Sequence, residues 1–347
     1  MTTTQTTQRI LILVGRNPAN ALGGASTWIL NIDPFFRKDY EIKYIVISEK
    51  WLNVKFIPDR IKALLQALFV LLSGKHKNEI IISHSPEMSF VASFFSQYLV
   101  HIAHGNTNPM VNPTFRLGRV FQSLFDFFIA KVESKAMLLY TVGGIKAGYK
   151  KLNQPINHSI QPVKLSEKQN IIFAGRLEKI KNVDFLINAY RLLDKNLRDS
   201  HKLYIYGRGG EEKNLKKLIA DLDMEQEVYL KGHIPNNDLI TKINYSSILV
   251  MASSYEGFPM VIAEALTVGT PVITTDVGSI SDVVTNGYNG YLIPQGSSQR
   301  VFAEKMALVL KDMHTFSKNA LCSSTAFNAS AVYNQIKDDL TKALPPR

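Results

Sequence analysis

The stretch from Glu256 to Glu264 holds the most distinctive set of chemically active residues in this 347-residue chain. It follows a short apolar run, Ile248–Met251, which is predicted to be a strand. Pro259 suits the first position of a helix, because the missing proline N–H has no intrahelical partner there. Free amides at that helix start, from Phe258 to Val261, would bind a phosphate, and the two carboxylates would bind sugar hydroxyls. The alternative is an ordinary helix with Glu264 solvated on its surface.

A second cluster consists of Gly175, Arg176 and Lys181, which follow the apolar run Asn170–Ala174. Gly175 ends the predicted strand and lets the backbone approach a ligand closely. Arg176 and Lys181 lie in the loop before a helix that is expected to start near Asn182. Together they could neutralise a diphosphate, as a metal ion does elsewhere. The alternative is a pair of ordinary surface cations.

Weaker features follow the predicted strands of the first half. Gly23 and Gly24 are paired glycines at a strand-to-helix turn, where a phosphate or sugar has room against the backbone. His104 follows the run Leu99–Ala103, and a histidine there can bond a sugar hydroxyl or move a proton, although a lone histidine is more often structural. Neither a GxGxxG fingerprint nor a Walker A sequence is present, which argues against a nicotinamide cofactor.

The three residues Gly232, His233 and Ile234 follow another predicted strand and could frame a nucleotide base, although a tight-turn glycine explains the pattern equally well. The chain has one cysteine, Cys322, so the sequence offers neither a disulfide framework nor a cysteine metal cluster. Its eight histidines show no metal-ligand spacing. We therefore expect no metal site and no resident cofactor.

The elements that would position these residues are ten short apolar runs separated by helical patterns. Several runs are continuous rather than alternating, which is typical of parallel strands covered on both faces. The alternation of strand and helix predicts doubly wound α/β sheets. The expected strands are Arg9–Val14, Ile42–Ile47, Glu79–Ile82, Leu99–Ala103, Met137–Tyr140, Asn170–Ala174, Lys202–Tyr206, Glu227–Leu230, Ile248–Met251 and Pro271–Thr274.

A polar stretch with two prolines, Gln154–Lys168, divides these strands into two sets of five. It predicts two Rossmann-like domains, residues 1–160 and 161–327, that face each other across a cleft at the carboxyl ends of their strands. A last helix, about residues 328–347, is expected to pack back on the first domain.

Charge is unevenly distributed: residues 1–160 carry 18 Lys and Arg against 9 Asp and Glu, whereas the rest of the chain carries 22 against 20. A basic half indicates an anionic partner surface or simply charge for solubility. Two segments, Pro58–Lys77 and Phe115–Lys135, combine apolar and basic residues. They suit packing on the first sheet, contact with an anionic membrane, or both. Since no nucleic-acid module is recognisable, nucleic acid is not an expected partner.

The longest apolar run, Ala63 to Leu72, is interrupted by Gln66 and is about half the length that a membrane span requires. The first residues also lack the pattern of a signal peptide. We therefore expect a cytoplasmic protein, peripheral at most on the cytoplasmic face of the membrane.

Taken together, these motifs resemble the retaining glycosyltransferases of family 4, which have the two-domain GT-B fold. The resemblance is best from Ile171 to Ile293 and rests on the order and spacing of several motifs. One departure is Ala252 before the paired serines, where the family often has proline and serine. The matching residues are Gly175, Arg176 and Lys181 (GR-x4-K), Glu256 to Glu264 (EGFP-x4-E), Ala265, Gly269-Thr270-Pro271-Val272 and Asn289-Gly290, with weaker matches at Gly23-Gly24 and His104-Gly105.

The resemblance implies a role for each position. Arg176 and Lys181 would neutralise the donor diphosphate without a metal ion, and Glu264 would bind the nucleotide ribose. Glu256 and His104 would contact the transferred sugar. The remaining substrate contacts would come from Gly23, Gly24, Gly175, Gly232, His233, Ile234, Gly257, Phe258, Pro259, Met260 and Val261.

The predicted activity is transfer of a sugar, with retention, from a nucleotide sugar, most simply a UDP-sugar, to a glycan or lipid-linked acceptor of the cell envelope. Two alternatives stay open. A sugar-nucleotide epimerase can share the architecture but would need further acid–base residues. A non-catalytic partner of an active transferase would not need Arg176, Lys181 and Glu256 intact.

Overall fold

The computed structural model describes residues 9–14, 24–46, 59–72, 74, 76–104, 118–144 and 146–345. Its contacts divide the chain into two units, Met1–Pro155 with Ala329–Arg347, and Ile156–Asn328. The sequence placed the boundary at residue 160, and the contacts place it after Pro155. The last helix, Ala329–Ala343, packs on the first helix of the first unit.

The first unit is built on a parallel sheet in which the strand order is β2-β1-β3-β4-β5-β6. The order reverses between β1 and β3, so the connections that leave these two strands run toward opposite edges of the sheet. The strands are β1 Arg9–Val14, β2 Glu41–Val46, β3 Ile80–Ser83, β4 Tyr98–His104, β5 Leu138–Val142 and β6 Lys150–Leu152.

Helices cover both faces of this sheet because its central strands are apolar on both sides. Ile80, Ile82 and Val100 face one core, which the first and last helices close, while Ile81 and Leu99 face the other. The helices are α1 Gly24–Asp39, α2 Asp59–Leu72, α3 Pro86–Ala92, α4 Gly118–Lys135 and, after the second unit, α12 Ala329–Ala343.

The second unit repeats this plan with the order β12-β11-β10-β7-β8-β9, and its register is parallel throughout. Here the order reverses between β7 and β10, which are direct neighbours. The strands are β7 Gln169–Ala174, β8 Leu203–Tyr206, β9 Val228–Gly232, β10 Ser246–Met251, β11 Val272–Thr275 and β12 Gly290–Ile293.

Two hydrophobic cores lie on the two faces of this second sheet. In β7, Ile171 and Phe173 join one core, while Ile172 and Ala174 join the other. This explains why the run reads as continuously apolar. The covering helices are α5 Val183–Arg191, α6 Lys195–Ser200, α7 Glu212–Asp221, α8 Asn236–Asn244, α9 Met260–Thr267, α10 Gln299–Lys311 and α11 Met313–Ser323.

All ten expected strands overlap strands of the structure, and the prediction of parallel α/β sheets is confirmed. Two further strands, β6 and β12, were not predicted. Both lie at the edge of a sheet and have only three or four residues. β6, with the sequence Lys-Lys-Leu, has a single apolar residue, and β12 begins with a glycine, so neither forms a continuous apolar run.

Candidate functional site

The candidate site of the second unit lies where its strand order reverses, after β7 and β10. In open α/β sheets, ligands bind at such a switch point, beyond the carboxyl ends of the strands. The loops after the two strands are tied together by two hydrogen bonds. The Ser254 amide donates to the Ile180 carbonyl at 2.8 Å, and the Asn182 side chain donates to the Ala252 carbonyl at 2.9 Å.

Lys181 and Glu256 meet at this point in a buried ion pair. The Lys181 Nζ lies 2.5 Å from Glu256 Oε1, and the Ser253 hydroxyl donates to the same oxygen at 2.7 Å. Lys181 and Glu256 are 9% and 8% exposed. Sequence reasoning gave them separate ligands and did not predict their mutual contact. Each charge compensates the other, because either charge alone would be costly to bury.

Arg176 is an exposed cation in the same loop as Lys181, which follows β7. Its guanidinium bonds Glu178 through Nη1 at 2.7 Å, and 68% of its side chain is exposed. An exposed ion pair of this kind is weak, so the guanidinium can exchange Glu178 for a stronger anion. The preceding residue, Gly175, donates its amide to the Tyr206 carbonyl at 3.0 Å, which fixes the start of the loop.

The loop that carries Glu256 and Gly257 packs against Gly278 and Ser279, which follow β11. The Ser279 amide donates to the Gly257 carbonyl at 3.1 Å. Gly278 has a left-handed φ of 62°, and a Cβ at this position would lie 2.2 Å from the Glu256 carbonyl oxygen. Only glycine fits this approach. Sequence reasoning missed Gly278, although the Val277-Gly278-Ser279 turn after β11 was a visible signal.

Helix α9 begins one residue later than predicted. Pro259 is its N-cap, with an extended φ of −74° and ψ of 115°, and Met260 is the first helical residue. The prediction that Pro259 starts the helix was therefore wrong by one position. The Ile262 amide donates to the Pro259 carbonyl at 3.1 Å, so the amides that precede this first bond are those of Met260 and Val261.

Glu264 lies one turn into α9 and is only 3% exposed, so it is not a solvated surface residue. Its Oε1 accepts a hydrogen bond of 3.1 Å from the Asn236 side chain at the start of α8. Burial raises the pKa of the Glu264 carboxyl to about 7, and the Asn236 bond opposes this rise. The carboxyl is therefore partly protonated at neutral pH. Sequence reasoning missed Asn236, which lies 28 residues away in the chain.

The end of β9 places the three residues that could frame a base. Gly232 is the last residue of the strand and has a left-handed φ of 71°. His233 is exposed, whereas Ile234 is half-buried against the core beside α8 and α9. Asn236 follows after Pro235, so this segment leads into the residue that contacts Glu264.

In the first unit, His104 is the last residue of β4 rather than a loop residue. Its Nε2 lies 2.8 Å from Nδ1 of His84, which follows the neighbouring strand β3. Burial lowers the pKa of His104 to about 4, so its ring is neutral at neutral pH. Gly24 is the first residue of α1. Gly23 lies outside the described residues, as do Gly105 and Thr2–Gln8.

Two searches of the described residues were negative. They contain no group of three or more His, Cys, Asp or Glu side chains arranged to hold a metal ion. Within the same ranges, the helices are too short or too polar to cross a membrane.

Comparison with known proteins identifies the unit that carries this ion pair. Residues 156–323 match the family described as glycosyl transferases group 1, and the match covers most of the unit Ile156–Asn328. The second unit belongs to the glycosyl transferases group 1 family. The site at the switch point therefore lies wholly within the group 1 domain.

Individual proteins show how far this likeness extends. The chain is 30% identical over 185 residues to a poly(glycerol-phosphate) alpha-glucosyltransferase of Bacillus subtilis, a match that covers 53% of this chain and 26% of that relative. The chain thus spans about a quarter of that relative's length.

Solved structures match over nearly the whole chain. HepE of Anabaena in complex with UDP-glucose superposes with a TM-score of 0.71, 17% identity and coverage of 96% and 99% of the two chains. The lipopolysaccharide outer core galactosyltransferase WaaB gives a TM-score of 0.70, 16% identity and coverage of 97% and 100%. At this identity the likeness establishes the fold, which is GT-B with two parallel α/β sheets.

Proposed function

We propose that this protein is a retaining glycosyltransferase that transfers a sugar from a nucleotide sugar, with UDP as the favoured nucleotide. The acceptor would be a glycan or lipid-linked glycan of cell-envelope polysaccharide or glycoconjugate synthesis. The observation that carries the proposal is the buried Lys181–Glu256 pair at the switch point of a group 1 domain, with exposed Arg176 in the same loop as Lys181. The UDP-glucose bound to HepE supports the choice of donor.

The donor diphosphate would be bound by Arg176, Lys181 and the first amides of α9, without a divalent metal ion. Lys181 has three N–H donors, of which Glu256 accepts one, so the others can bind phosphate oxygens. Arg176 would leave Glu178 and bind the diphosphate with its planar fork. Two cations and a helix N-terminus then stabilise the negative charge that develops on the leaving group.

The two carboxylates would bind hydroxyl groups of the donor. Glu256 would contact the transferred sugar, while its bonds from Lys181 and Ser253 keep it in place. Glu264 would accept hydrogen bonds from the ribose hydroxyls. These bonds would compensate its carboxylate for the water that cannot reach it in its buried position. In the first unit, His104 is assigned to the transferred sugar.

For the chemical step, the acceptor oxygen would bond to the anomeric carbon from the side on which the bond to the diphosphate oxygen breaks. Attack on this face retains the anomeric configuration, and the acceptor proton would pass to the departing phosphate oxygen. Glu256 would be weakened as a nucleophile, because an ammonium and a hydroxyl both donate to its Oε1 and draw negative charge from the carboxylate. Capture of a covalent glycosyl-enzyme would contradict this route, and the anomeric configuration of the product tests retention.

A thermal-shift screen tests the donor site directly. It would use UDP, GDP, ADP and their sugar conjugates in EDTA, on wild type, Arg176→Ala and the control Arg300→Ala, whose side chain is 84% exposed on α10. We expect one nucleotide to raise Tm in wild type and in the control but not in Arg176→Ala. Absence of any shift would favour a non-catalytic role. Chromatography of the sugar conjugates after incubation would separately test the epimerase, since it would show epimerised donor without transfer.

A second part of the proposal concerns the membrane. The solvent-facing side of α2 presents a stripe of four exposed apolar residues: Leu65, Leu68, Phe69 and Leu72. Their neighbours Ala67 and Leu71 are buried against α3, so α2 packs on the unit and still exposes an apolar face. Packing on the unit is therefore one part of the role of this helix, and its exposed apolar face supports the other expectation, contact with an anionic membrane.

Aromatic and basic residues are also exposed just after α3 and on α4. Phe94 and Phe127 are 62% and 59% exposed, and both pack edge-on or tilted against Phe90. The Lys131 Nζ lies 6.0 Å from the centre of the Phe94 ring. Beside Phe94, a groove of about 790 Å³ is lined by Lys77 and Lys135 among other residues. This combination suits the acyl chains and anionic headgroups of a bilayer.

Vesicle sedimentation tests this contact. We expect binding to vesicles of phosphatidylcholine with phosphatidylglycerol but not to phosphatidylcholine alone. Phe94→Ser with Phe127→Ser should abolish it, and Leu192→Ser, at a position of the second unit that is 54% exposed, should not. If neither vesicle binds and light scattering shows a dimer that the double variant dissociates, the surface is a contact between copies of the chain.

A further inference from the structure

The pair His84 and His104 lies at the carboxyl ends of two neighbouring strands and faces α1. In β3 and β4, the even-numbered residues Ile82 and Ile102 point into the core that contains Trp28. His84 and His104 continue this alternation. Their rings stack with centroids 5.1 Å apart, and the Trp28 ring lies 5.2 Å from His84 and 6.3 Å from His104.

The hydrogen bond in this pair has two possible directions. Either His84 donates from Nδ1 to His104 Nε2, or His104 donates from Nε2 to His84 Nδ1. Both rings are neutral at neutral pH, since burial lowers the pKa of each well below the ordinary value. A neutral imidazole carries one N–H, so the direction of this bond fixes the tautomer of both rings.

The surroundings of the other His84 nitrogen decide between these directions. His84 Nε2 is buried and has no hydrogen-bond partner among the described residues. If His104 were the donor, His84 Nε2 would carry a buried N–H without an acceptor. A buried donor without a partner is rarer and costs more free energy than a buried acceptor without one. If His84 is the donor, Nε2 carries only a lone pair. Donation by His84 is therefore favoured, because it leaves no buried N–H of His84 without a partner.

We propose that His84 is a positioning residue that donates to His104 Nε2 and thereby holds the proton of His104 on Nδ1. His104 then meets its ligand as a hydrogen-bond donor through Nδ1–H and not as a general base. This role rests on the proposed function, in which His104 contacts the transferred sugar. The preferred partner would be a sugar oxygen with a free lone pair.

The tautomer can be measured without any activity. In the full chain labelled with ¹⁵N-histidine, eight imidazoles give a tractable set of long-range ¹H–¹⁵N correlations. Comparison with His104→Gln assigns the signals of His104. We expect a protonated Nδ1 and an unprotonated Nε2 on His104 in wild type. The opposite tautomer would overturn the proposal whether or not the protein is a transferase.

Substitutions separate positioning from a merely structural role. His84→Asn places an amide N–H where Nδ1 stood, so His104 should keep its tautomer and kcat should stay within about threefold of wild type. His84→Leu removes the donor, so the tautomer should change and kcat should fall tenfold or more, while KM for the nucleotide sugar changes little. The control Trp28→Phe keeps the donor and should keep the tautomer.

Unchanged tautomer and kcat in His84→Leu would refute the positioning role. If His84→Leu does not fold, His84→Gln serves instead, because its amide reaches past the Nδ1 position. A correct tautomer in a protein without transferase activity would refute the proposed function and leave the His84–His104 assignment standing.

Discussion

Burial of Glu264 makes the stability of the second unit depend on pH. The carboxyl has a pKa of about 7 in the folded chain against an ordinary value of 4.5. Between these values the folded state binds a proton that the unfolded state lacks, so stability falls as pH rises. Each unit of pKa difference corresponds to about 1.4 kcal/mol, so the free energy of unfolding falls by about 3 kcal/mol in total. Roughly 2.5 kcal/mol of this loss occurs between pH 5 and pH 8.

Glu264→Gln removes this titration and keeps an oxygen to accept from Asn236. We therefore expect the variant to exceed wild type in the free energy of unfolding by about 3 kcal/mol at pH 8, with most of that gain gone at pH 5. Urea unfolding followed by circular dichroism at both pH values measures the difference. Both tryptophans, Trp28 and Trp51, lie in the first unit, so their fluorescence serves as an internal control.

A matched substitution, Glu304→Gln, changes a carboxylate whose side chain is 61% exposed in the same unit. It should leave the pH dependence of unfolding close to wild type, because solvent contact of this carboxylate changes little on unfolding. Parallel stability profiles for wild type and Glu264→Gln would refute the reasoning. They would mean that the Glu264 carboxylate is compensated by polar contacts in the folded state.

Three further predictions follow from the same site. Affinity for the nucleotide sugar, whose phosphates do not titrate in this range, should rise between pH 6 and pH 8 as Glu264 ionises to accept from the ribose. Titration calorimetry measures this rise, and Glu264→Gln should abolish it; a flat wild-type profile would count against the ribose contact. Gly278→Ala should destabilise the second unit more than Gly287→Ala, because both glycines have positive φ but only Gly278 would bring a Cβ against backbone oxygen; equal losses in urea unfolding would contradict this. Lys181→Met and Glu256→Gln should each lower the free energy of unfolding by about 3 kcal/mol, and the double variant should lower it by less than the sum of the two. Additive losses in urea unfolding would mean that the two charges of the ion pair are not coupled.

The sequence by itself determined the kind of fold and the positions of most chemical groups along the chain. Continuous apolar runs such as Asn170–Ala174 predicted buried parallel strands, because a strand covered on both faces needs apolar residues at every position. Arg176 and Glu256 follow such runs, so their place at a sheet edge was also predictable. These inferences need only local periodicity and the rule that ligands bind beyond strand ends.

Only the tertiary structure decided which groups contact each other. Lys181 and Glu256 are 75 residues apart in the chain, and they pair because β7 and β10 are neighbours in the sheet. Nothing in the local pattern of either motif encodes that strand order. The same holds for Asn236 with Glu264 and for His84 with His104.

Burial of charged residues was the other property that the sequence did not show. Lys168 lies in the polar stretch that was predicted to be a linker, yet it is only 7% exposed. Its Nζ donates to the carbonyls of Asn244 and Val268 and to the Thr270 hydroxyl, and burial lowers its pKa to about 7. In a sequence, a lysine counts as a polar residue at any position. Whether it is buried depends on hydrogen-bond acceptors that distant segments of the chain provide.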